Sequence, residues 1–163
     1  MTSADDTLRT LADRRELNDL VARYARAIDR RDYPALRQVF TEDVHMSGYR
    51  GDPASVEALY SNQGLEDVIA AIQTLEEFEQ VHHVVSQQLV EIDGDRATGE
   101  TYGTTHFVWH DDGVLTHRTH VCRYQDRYRR ESGRWQIEER RLIFDWEYDT
   151  PMGESGWVAK HRP

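Results

Sequence analysis

The chain has 163 residues, a length that suits one domain with one hydrophobic core, because about 70% of the unfolded surface is expected to be buried at this size. Its formal net charge of −10, with a pI near 5.2, opposes binding to nucleic acid or to an anionic membrane surface. The single cysteine, Cys122, excludes an internal disulfide and suits a reducing compartment.

The first predicted element is a long amphipathic helix that runs from residue 7 to about Asp29. Its apolar residues recur at separations of three and four, while arginines collect on the opposite side. Asp32 follows as an N-cap, and Pro34 is tolerated in a first helical turn. A short second helix is therefore predicted to end near Thr41.

The segment that follows has mixed character. Residues 44–49 are interpreted as a short strand, and residues 50–63 as a loop or lid, because the latter contain glycine, proline, serine and asparagine. A third helix is predicted from about Leu65 to Glu77. The part of the chain before residue 80 is thus mainly helical.

Four later segments alternate with the period of two that is typical of strands, and they span residues 82–92, 97–109, 116–128 and 134–146. Short turns with Gly94, Gly113 and Gly133 separate them, as in hairpins. This order predicts an α+β domain, with N-terminal helices packed on one face of a curved, mainly antiparallel sheet. Residues 1–163 are interpreted as this single domain, with residues 150–163 as a C-terminal tail in which Trp157 docks or contacts a partner.

Asp29 and a pair of histidines are the first candidates for chemistry. Asp29 lies near the carboxyl end of the first helix, where the helix dipole disfavours a negative charge. It is therefore a solvated helix-end residue, an acceptor for backbone amides in the turn before Pro34, or the partner of a histidine, whose tautomer it would fix. His82 and His83 are adjacent on a predicted strand, so only one can face the concave side, and alternation alone does not choose between them.

These residues carry a family resemblance. The sequence Tyr24-Ala-Arg-Ala-Ile-Asp29, the proline-started second helix and Gln80-Val-His82-His83 resemble the SnoaL-like branch of the nuclear transport factor 2-like superfamily, which includes scytalone dehydratase and the bile-acid dehydratases. The resemblance implies a cone-shaped α+β barrel. It also implies a homodimer formed through the exposed face of the sheet.

The resemblance assigns roles to three residues. Tyr24 and Asp29 match the spacing of a catalytic tyrosine and aspartate, and His83 aligns with the family histidine on the first long strand. These three are expected to be the catalytic residues, with Tyr24 as a proton donor. Phe144 stands where the bile-acid dehydratases have a functional arginine, which argues against a bile-acid or coenzyme A substrate.

Other side chains are expected to contact a substrate. Scytalone dehydratase uses a second histidine, for which His106 is the nearest candidate. The alternating strands are also expected to send part of the aromatic set into the cone. The predicted substrate-binding residues are His106, Tyr49, Tyr102, Tyr124 and Phe144, and such a lining suits an apolar, polycyclic or aromatic ligand.

No metal or cofactor is expected. His106 and His110 would lie about 13 Å apart on a strand, and His117 and His120 would face opposite sides, so neither pair is a ready chelate. The sequence contains no phosphate-binding loop, nucleophile elbow or dinucleotide fingerprint.

The functional hypothesis is a cofactor-independent lyase of the dehydratase type that acts on a small hydroxylated carbonyl compound. An isomerase or a polyketide cyclase would use the same pocket, and a non-catalytic ligand-binding or assembly module is the rival from another class. The polar, acidic N-terminus lacks the features of a signal peptide, and no apolar run reaches about 18 residues. A cytoplasmic location is therefore expected, with no nucleic acid or membrane partner.

Overall fold

The computed structural model describes residues 4–153 and residue 157. Its elements follow the expected order of helices first and strands second. They are α1 (Ala4–Asp29), α2 (Tyr33–Arg37), β1 (Phe40–Tyr49), β2 (Tyr60–Gln63), α3 (Leu65–Gln73), a 3₁₀ turn (Thr74–Glu77), β3 (Gln80–Asp93), β4 (Arg96–Asp111), β5 (Val114–Glu131) and β6 (Arg134–Pro151). Asp32 caps α2 as predicted, since its carboxylate accepts the backbone N–H of Ala35 at 3.1 Å.

One six-stranded sheet has the order β2-β1-β6-β5-β4-β3. Strands β3 to β6 form an antiparallel meander, while β1 runs parallel to β6 and antiparallel to β2. The helices pack on one face, and the sheet stays open between β2 and β3. The predicted α+β class, with a cone-shaped arrangement of helices on a mainly antiparallel sheet, is confirmed.

Several boundaries differ from the predicted ones. The loop predicted at residues 50–63 contains β2, which pairs with β1 from Gly48 to His45. The last strand continues to Pro151 because β5 offers partners that far, and Thr116 pairs with Pro151. The predicted tail therefore begins inside a strand. Trp157 is 78% exposed, and residues 154–156 and 158–163 lie outside the described part of the chain.

The core lies between the helices and the inner face of the sheet. Helix α1 contributes Leu17, Leu20 and Tyr24, and α3 contributes Val68 and Ile72, all nearly inaccessible to solvent. Fully burying one such side chain stabilises the fold by roughly 1.5–3 kcal/mol. Among residues 4–153, no helix has the length and apolar character needed to cross a membrane.

Three bulges change which side chains face the core. One extra residue lies in β3 between Val85 and Gln88, and β6 has one extra residue at Asp145 and another at Glu138. Each bulge inverts the alternation beyond it, because the side-chain period of a strand is two. As a result Leu89, which uninterrupted alternation would put on the face of His83, is 76% exposed.

Candidate active site

The carboxylate of Asp29 is bound by the strand that faces the end of α1. Asp29 Oδ1 lies 2.6 Å from Nδ1 of His83, and the backbone N–H of His83 donates to both carboxylate oxygens, at 3.1 and 3.0 Å. The side chains of Asp29 and His83 are 15% and 6% exposed. These donors offset the unfavourable placement of a negative charge at a helix carboxyl end.

The alternation of β3 separates the two adjacent histidines. His82 is 70% exposed, and its Nδ1 is 3.7 Å from Asp29 Oδ2, which is too long for a hydrogen bond. His83 points inward and lines a cavity. Because its Nδ1–H donates to a carboxylate, the lone pair is assigned to Nε2, which can accept a proton.

The cavity beside His83 has a volume of about 400 Å³. It lies between α3, the 3₁₀ turn and the inner face of β1, β2 and β3 to β6. Its lining is mainly apolar and aromatic, with a few polar groups: Tyr24, Met46, Tyr60, Asn62, Ala71, Ile72, Thr74, Leu75, His83, Thr105, Phe107, His120, Cys122, Tyr124, Leu142 and Phe144. Such a combination is typical of small-molecule sites.

Tyr24 lies next to the Asp29–His83 pair. The rings of Tyr24 and His83 meet edge to face, with centroids 6.1 Å apart. Burial raises the pKa of Tyr24, and the nearby guanidinium of Arg140 opposes this shift without cancelling it. The hydroxyl group therefore stays protonated at neutral pH and can donate a proton or a hydrogen bond.

A buried ion pair supports the tyrosines. Arg140 donates to both oxygens of Asp126, at 2.8 and 2.7 Å, and both side chains are fully inaccessible. The guanidinium carbon lies 4.0 Å from the ring centroid of Tyr24 and 4.4 Å from that of Tyr124. The hydroxyl of Tyr128 donates to the same carboxylate at 2.8 Å. Arg140 thus makes cation–π contacts with two residues that line the cavity.

The predicted substrate-binding residues divide between the two faces of the sheet. Tyr124 and Phe144 line the cavity, whereas His106, Tyr49 and Tyr102 do not. The alternation of the strands turns these three side chains away from the cavity. Tyr102 is 46% exposed, and Tyr49 lies on the opposite face from its neighbour Gly48.

His106 belongs to a row of histidines on the outer face. Its Nδ1 lies 2.8 Å from Nε2 of His117, and its ring stacks on that of His82 with centroids 6.5 Å apart. Burial and the neighbouring histidines lower the pKa of His106. Among residues 4–153 and 157, no group of three or more histidine, cysteine, aspartate or glutamate side chains has the arrangement of a metal site.

Sequence reasoning missed His120 and Tyr60. His120 shares the alternation of Cys122 and Tyr124, which was a usable signal, and it faces the cavity from β5. Tyr60 belongs to the short strand β2, within the segment that the sequence predicts to be a loop. Its ring lies over Gly48, where an added Cβ would be 2.2 Å from Tyr60 Cε1.

A larger cleft, of about 780 Å³, has a different character. Charged side chains from the outer face dominate it, among them Glu91, Arg127, Glu139 and Arg141. Several of these form exposed ion pairs, such as Arg127 with Glu139 at 3.4 Å. Neither Asp29 nor His83 lines this cleft, so the smaller cavity is the candidate active site.

An acid–imidazole pair at the wall of a cavity, held between N-terminal helices and a curved sheet, places the protein in the nuclear transport factor 2-like class. The sequence model of the SnoaL-like domain matches residues 9–141, which is more than half of the chain. The chain belongs to the SnoaL-like family. The resemblance drawn from the sequence is therefore confirmed, and a search of curated proteins finds no match.

Solved structures share the fold. A scytalone dehydratase candidate from Novosphingobium aromaticivorans is 16% identical with a TM-score of 0.76, covering 92% of this chain and 99% of that chain. Hexachlorocyclohexane dehydrochlorinase LinA-type3 from Novosphingobium barchaimii is 17% identical with a TM-score of 0.72, covering 94% and 99%. The β subunit of a candidate aromatic-ring-hydroxylating dioxygenase from Novosphingobium aromaticivorans is 15% identical with a TM-score of 0.71, covering 84% and 92%. At these identities the likeness is one of fold.

Proposed function

We propose that the protein is a cofactor-independent lyase of the dehydratase type, acting on a small, largely apolar, hydroxylated carbonyl compound. The observation that carries this proposal is the contact of 2.6 Å between His83 Nδ1 and Asp29 Oδ1 beside a cavity of about 400 Å³. Such a pair supplies a histidine of fixed tautomer with its basic nitrogen available.

The reaction follows from the roles of three side chains. Nε2 of His83 removes a proton from the carbon next to a carbonyl group, and Asp29 stabilises the imidazolium that forms. The electrons of the broken C–H bond form a C=C bond as the C–O bond of a β-hydroxyl group breaks. Tyr24 donates a proton to the leaving oxygen, so that water departs, and the proton on His83 returns to Tyr24 before the next turnover. If Tyr24 instead donates a hydrogen bond to the developing enolate, the imidazolium of His83 gives its proton to the leaving oxygen.

The lining of the cavity supports this substrate class. Met46, Ile72, Leu75, Phe107 and Phe144 offer apolar and aromatic surface, which suits a carbocyclic or aromatic skeleton. Tyr24, Tyr60, Asn62, Thr105 and His120 offer hydrogen-bonding groups that suit oxygen substituents.

The alternatives differ in what happens to the ligand. An isomerase or a polyketide cyclase would form the same enolate and then reprotonate it or use it as a nucleophile. A non-catalytic module is the remaining rival, and one solved structure of this fold is a β subunit. A cavity filled by its own side chains would favour the module, whereas the described residues leave room beside a buried Asp29–His83 pair.

The test uses 3-hydroxy-1-tetralone, whose dehydration gives water and 1-naphthol, a product that absorbance and chromatography detect. We expect turnover by the wild-type protein and a loss of at least about 10²-fold in His83→Ala. Asp29→Asn is expected to lose about 10²- to 10⁴-fold, because the amide no longer stabilises the imidazolium. His82→Ala is the matched control, since His82 is exposed on the other face of the same strand.

Two results would contradict the proposal. One is near-full turnover by His83→Ala, because the base would then be another group. The other is wild-type protein that turns over neither this compound nor other cyclic β-hydroxy ketones, which would favour the binding module. Misfolding of His83→Ala is not expected, since the backbone N–H that binds Asp29 remains in the variant.

A further inference from the structure

A second histidine–carboxylate contact lies in the same row of the sheet as His83. His83 pairs with Thr105, Thr105 pairs with His120, and His120 pairs with Glu147, so one residue from each of β3 to β6 forms the row. Strands are about 4.8 Å apart, which places the backbones of the two histidines about 10 Å from each other. His83, Thr105 and His120 all line the cavity.

The imidazole of His120 is held on three sides. Its Nε2 lies 2.6 Å from Oε2 of Glu147, and Arg50 donates to the other oxygen of that carboxylate at 2.6 Å. The rings of Phe107 and Phe144 meet the imidazole edge to face, with centroids 4.9 and 5.3 Å away. The side chain of His120 is only 17% exposed. These protein contacts fix the position of the ring.

The electrostatic surroundings favour a neutral ring with a defined tautomer. Burial lowers the pKa of His120 and outweighs the opposing effect of Glu147, while Arg118 and Asp149 act in opposite directions on it. The carboxylate oxygen 2.6 Å from Nε2 favours a proton on that nitrogen by its charge, although the contact lacks the geometry of a hydrogen bond, and the lone pair is assigned to Nδ1. A neutral imidazole of this tautomer can only accept a hydrogen bond at Nδ1.

We propose that His120 is a second substrate-contacting residue, whose imidazole accepts a hydrogen bond from a hydroxyl group of the ligand that is not the leaving group. This inference rests on the proposed function and narrows its substrate class. The ligand presents an acidic C–H bond to His83 and a phenolic or alcoholic hydroxyl two strands away, to His120. The preferred substrates are therefore carbonyl compounds with at least one hydroxyl group beyond the one that is lost.

A binding experiment separates this inference from turnover. The probes are 1-tetralone and its 5-, 6- and 7-hydroxy derivatives, which lack a leaving group, and their affinities are measured by titration calorimetry. For wild-type protein, at least one hydroxylated isomer is expected to bind about 10-fold more tightly than 1-tetralone. His120→Phe is expected to abolish this preference while retaining 1-tetralone binding.

Three further variants make the result specific. His120→Asn keeps an acceptor close to the position of Nδ1 and is expected to restore part of the preference. His106→Phe is the matched control on the outer face of the neighbouring strand, and it is expected to keep the whole preference. His83→Ala is expected to keep the preference while losing turnover, so a failure of the proposed reaction and a failure of this inference give different results.

The inference is overturned by either of two outcomes. In one, wild-type protein binds none of the hydroxylated isomers more tightly than 1-tetralone. In the other, His120→Phe and His120→Asn, both folded by circular dichroism, discriminate among the probes as well as wild-type protein does. His120 would then only connect the network of Glu147 and Arg50.

Discussion

The ion pair between Arg140 and Asp126 offers a quantitative test of the structure. Replacement of Asp126 by Asn removes the charge that neutralises Arg140, while the shape of the side chain is kept. Both partners are fully inaccessible, and the pair has two hydrogen bonds, of 2.8 and 2.7 Å. Removing one partner of a buried pair leaves an uncompensated charge, so we expect a loss of about 3–5 kcal/mol in the free energy of unfolding.

The chain contains a matched control at the surface. Arg118 donates to Asp149 with the same two-pronged geometry, at 2.7 and 2.8 Å, but the side chains are 34% and 42% exposed. Solvent screens that pair, so Asp149→Asn is expected to cost less than about 1 kcal/mol. Because the two pairs have similar hydrogen-bond geometry, a difference between the two variants in the loss of unfolding free energy measures the effect of burial.

Urea denaturation followed by circular dichroism measures both values, and a thermal scan gives a second readout. For a protein of this size, a loss of 3–5 kcal/mol corresponds to a fall of roughly 6–20 °C in Tm. A double variant, Asp126→Leu with Arg140→Met, is expected to recover most of the loss, because it leaves no buried charge. Equal losses for Asp126→Asn and Asp149→Asn would refute the reasoning.

Three other predictions follow from single positions. Gly48→Ala places a Cβ 2.2 Å from the ring of Tyr60. The ring must therefore move, which is expected to lower the free energy of unfolding by about 1–3 kcal/mol. An unchanged urea midpoint would contradict this contact. Burial raises the pKa of Cys122 to about 11. The thiol is therefore expected to be unreactive towards Ellman's reagent at pH 8 and to react only in denaturant. Rapid labelling of the folded protein would contradict this prediction. The homodimer implied by the family resemblance is expected to use the outer face of the sheet, where Trp146 is 59% exposed; sedimentation should show a dimer that Trp146→Glu converts to a monomer, and a monomeric wild type would remove the expectation.

The fold was largely predictable because its signals are local. The turns with Gly94, Gly113 and Gly133 have backbone angles that favour glycine, with φ of 58°, 85° and 79°, and they mark the three hairpins in the sequence. The period of two between them defines β3 to β6. The end of β6 was not predictable in this way, because residues 147–151 are ordered by pairing with β5 rather than by their own pattern.

The site was predictable only in part. The resemblance pointed to Asp29 and His83, but the sequence alone left His82 and His83 equivalent. His106, predicted to contact the substrate, lies on the outer face of the sheet, because the face of each histidine depends on long-range register. Local alternation places His120 on one face of β5 with Cys122 and Tyr124, but which face of each strand meets the cavity depends on pairing across the sheet.

The bulge at Asp145 determines which side chains of β6 face the side of the sheet that carries the cavity. It lets Phe144 and Glu147 face the same side, with the exposed Trp146 on the other. If the same sequence paired with β5 without the bulge, simple alternation would turn the indole of Trp146 inward and the carboxylate of Glu147 away from His120. The contact between Glu147 and His120 therefore depends on one unpaired residue in β6, far along the chain from Asp29 and His83.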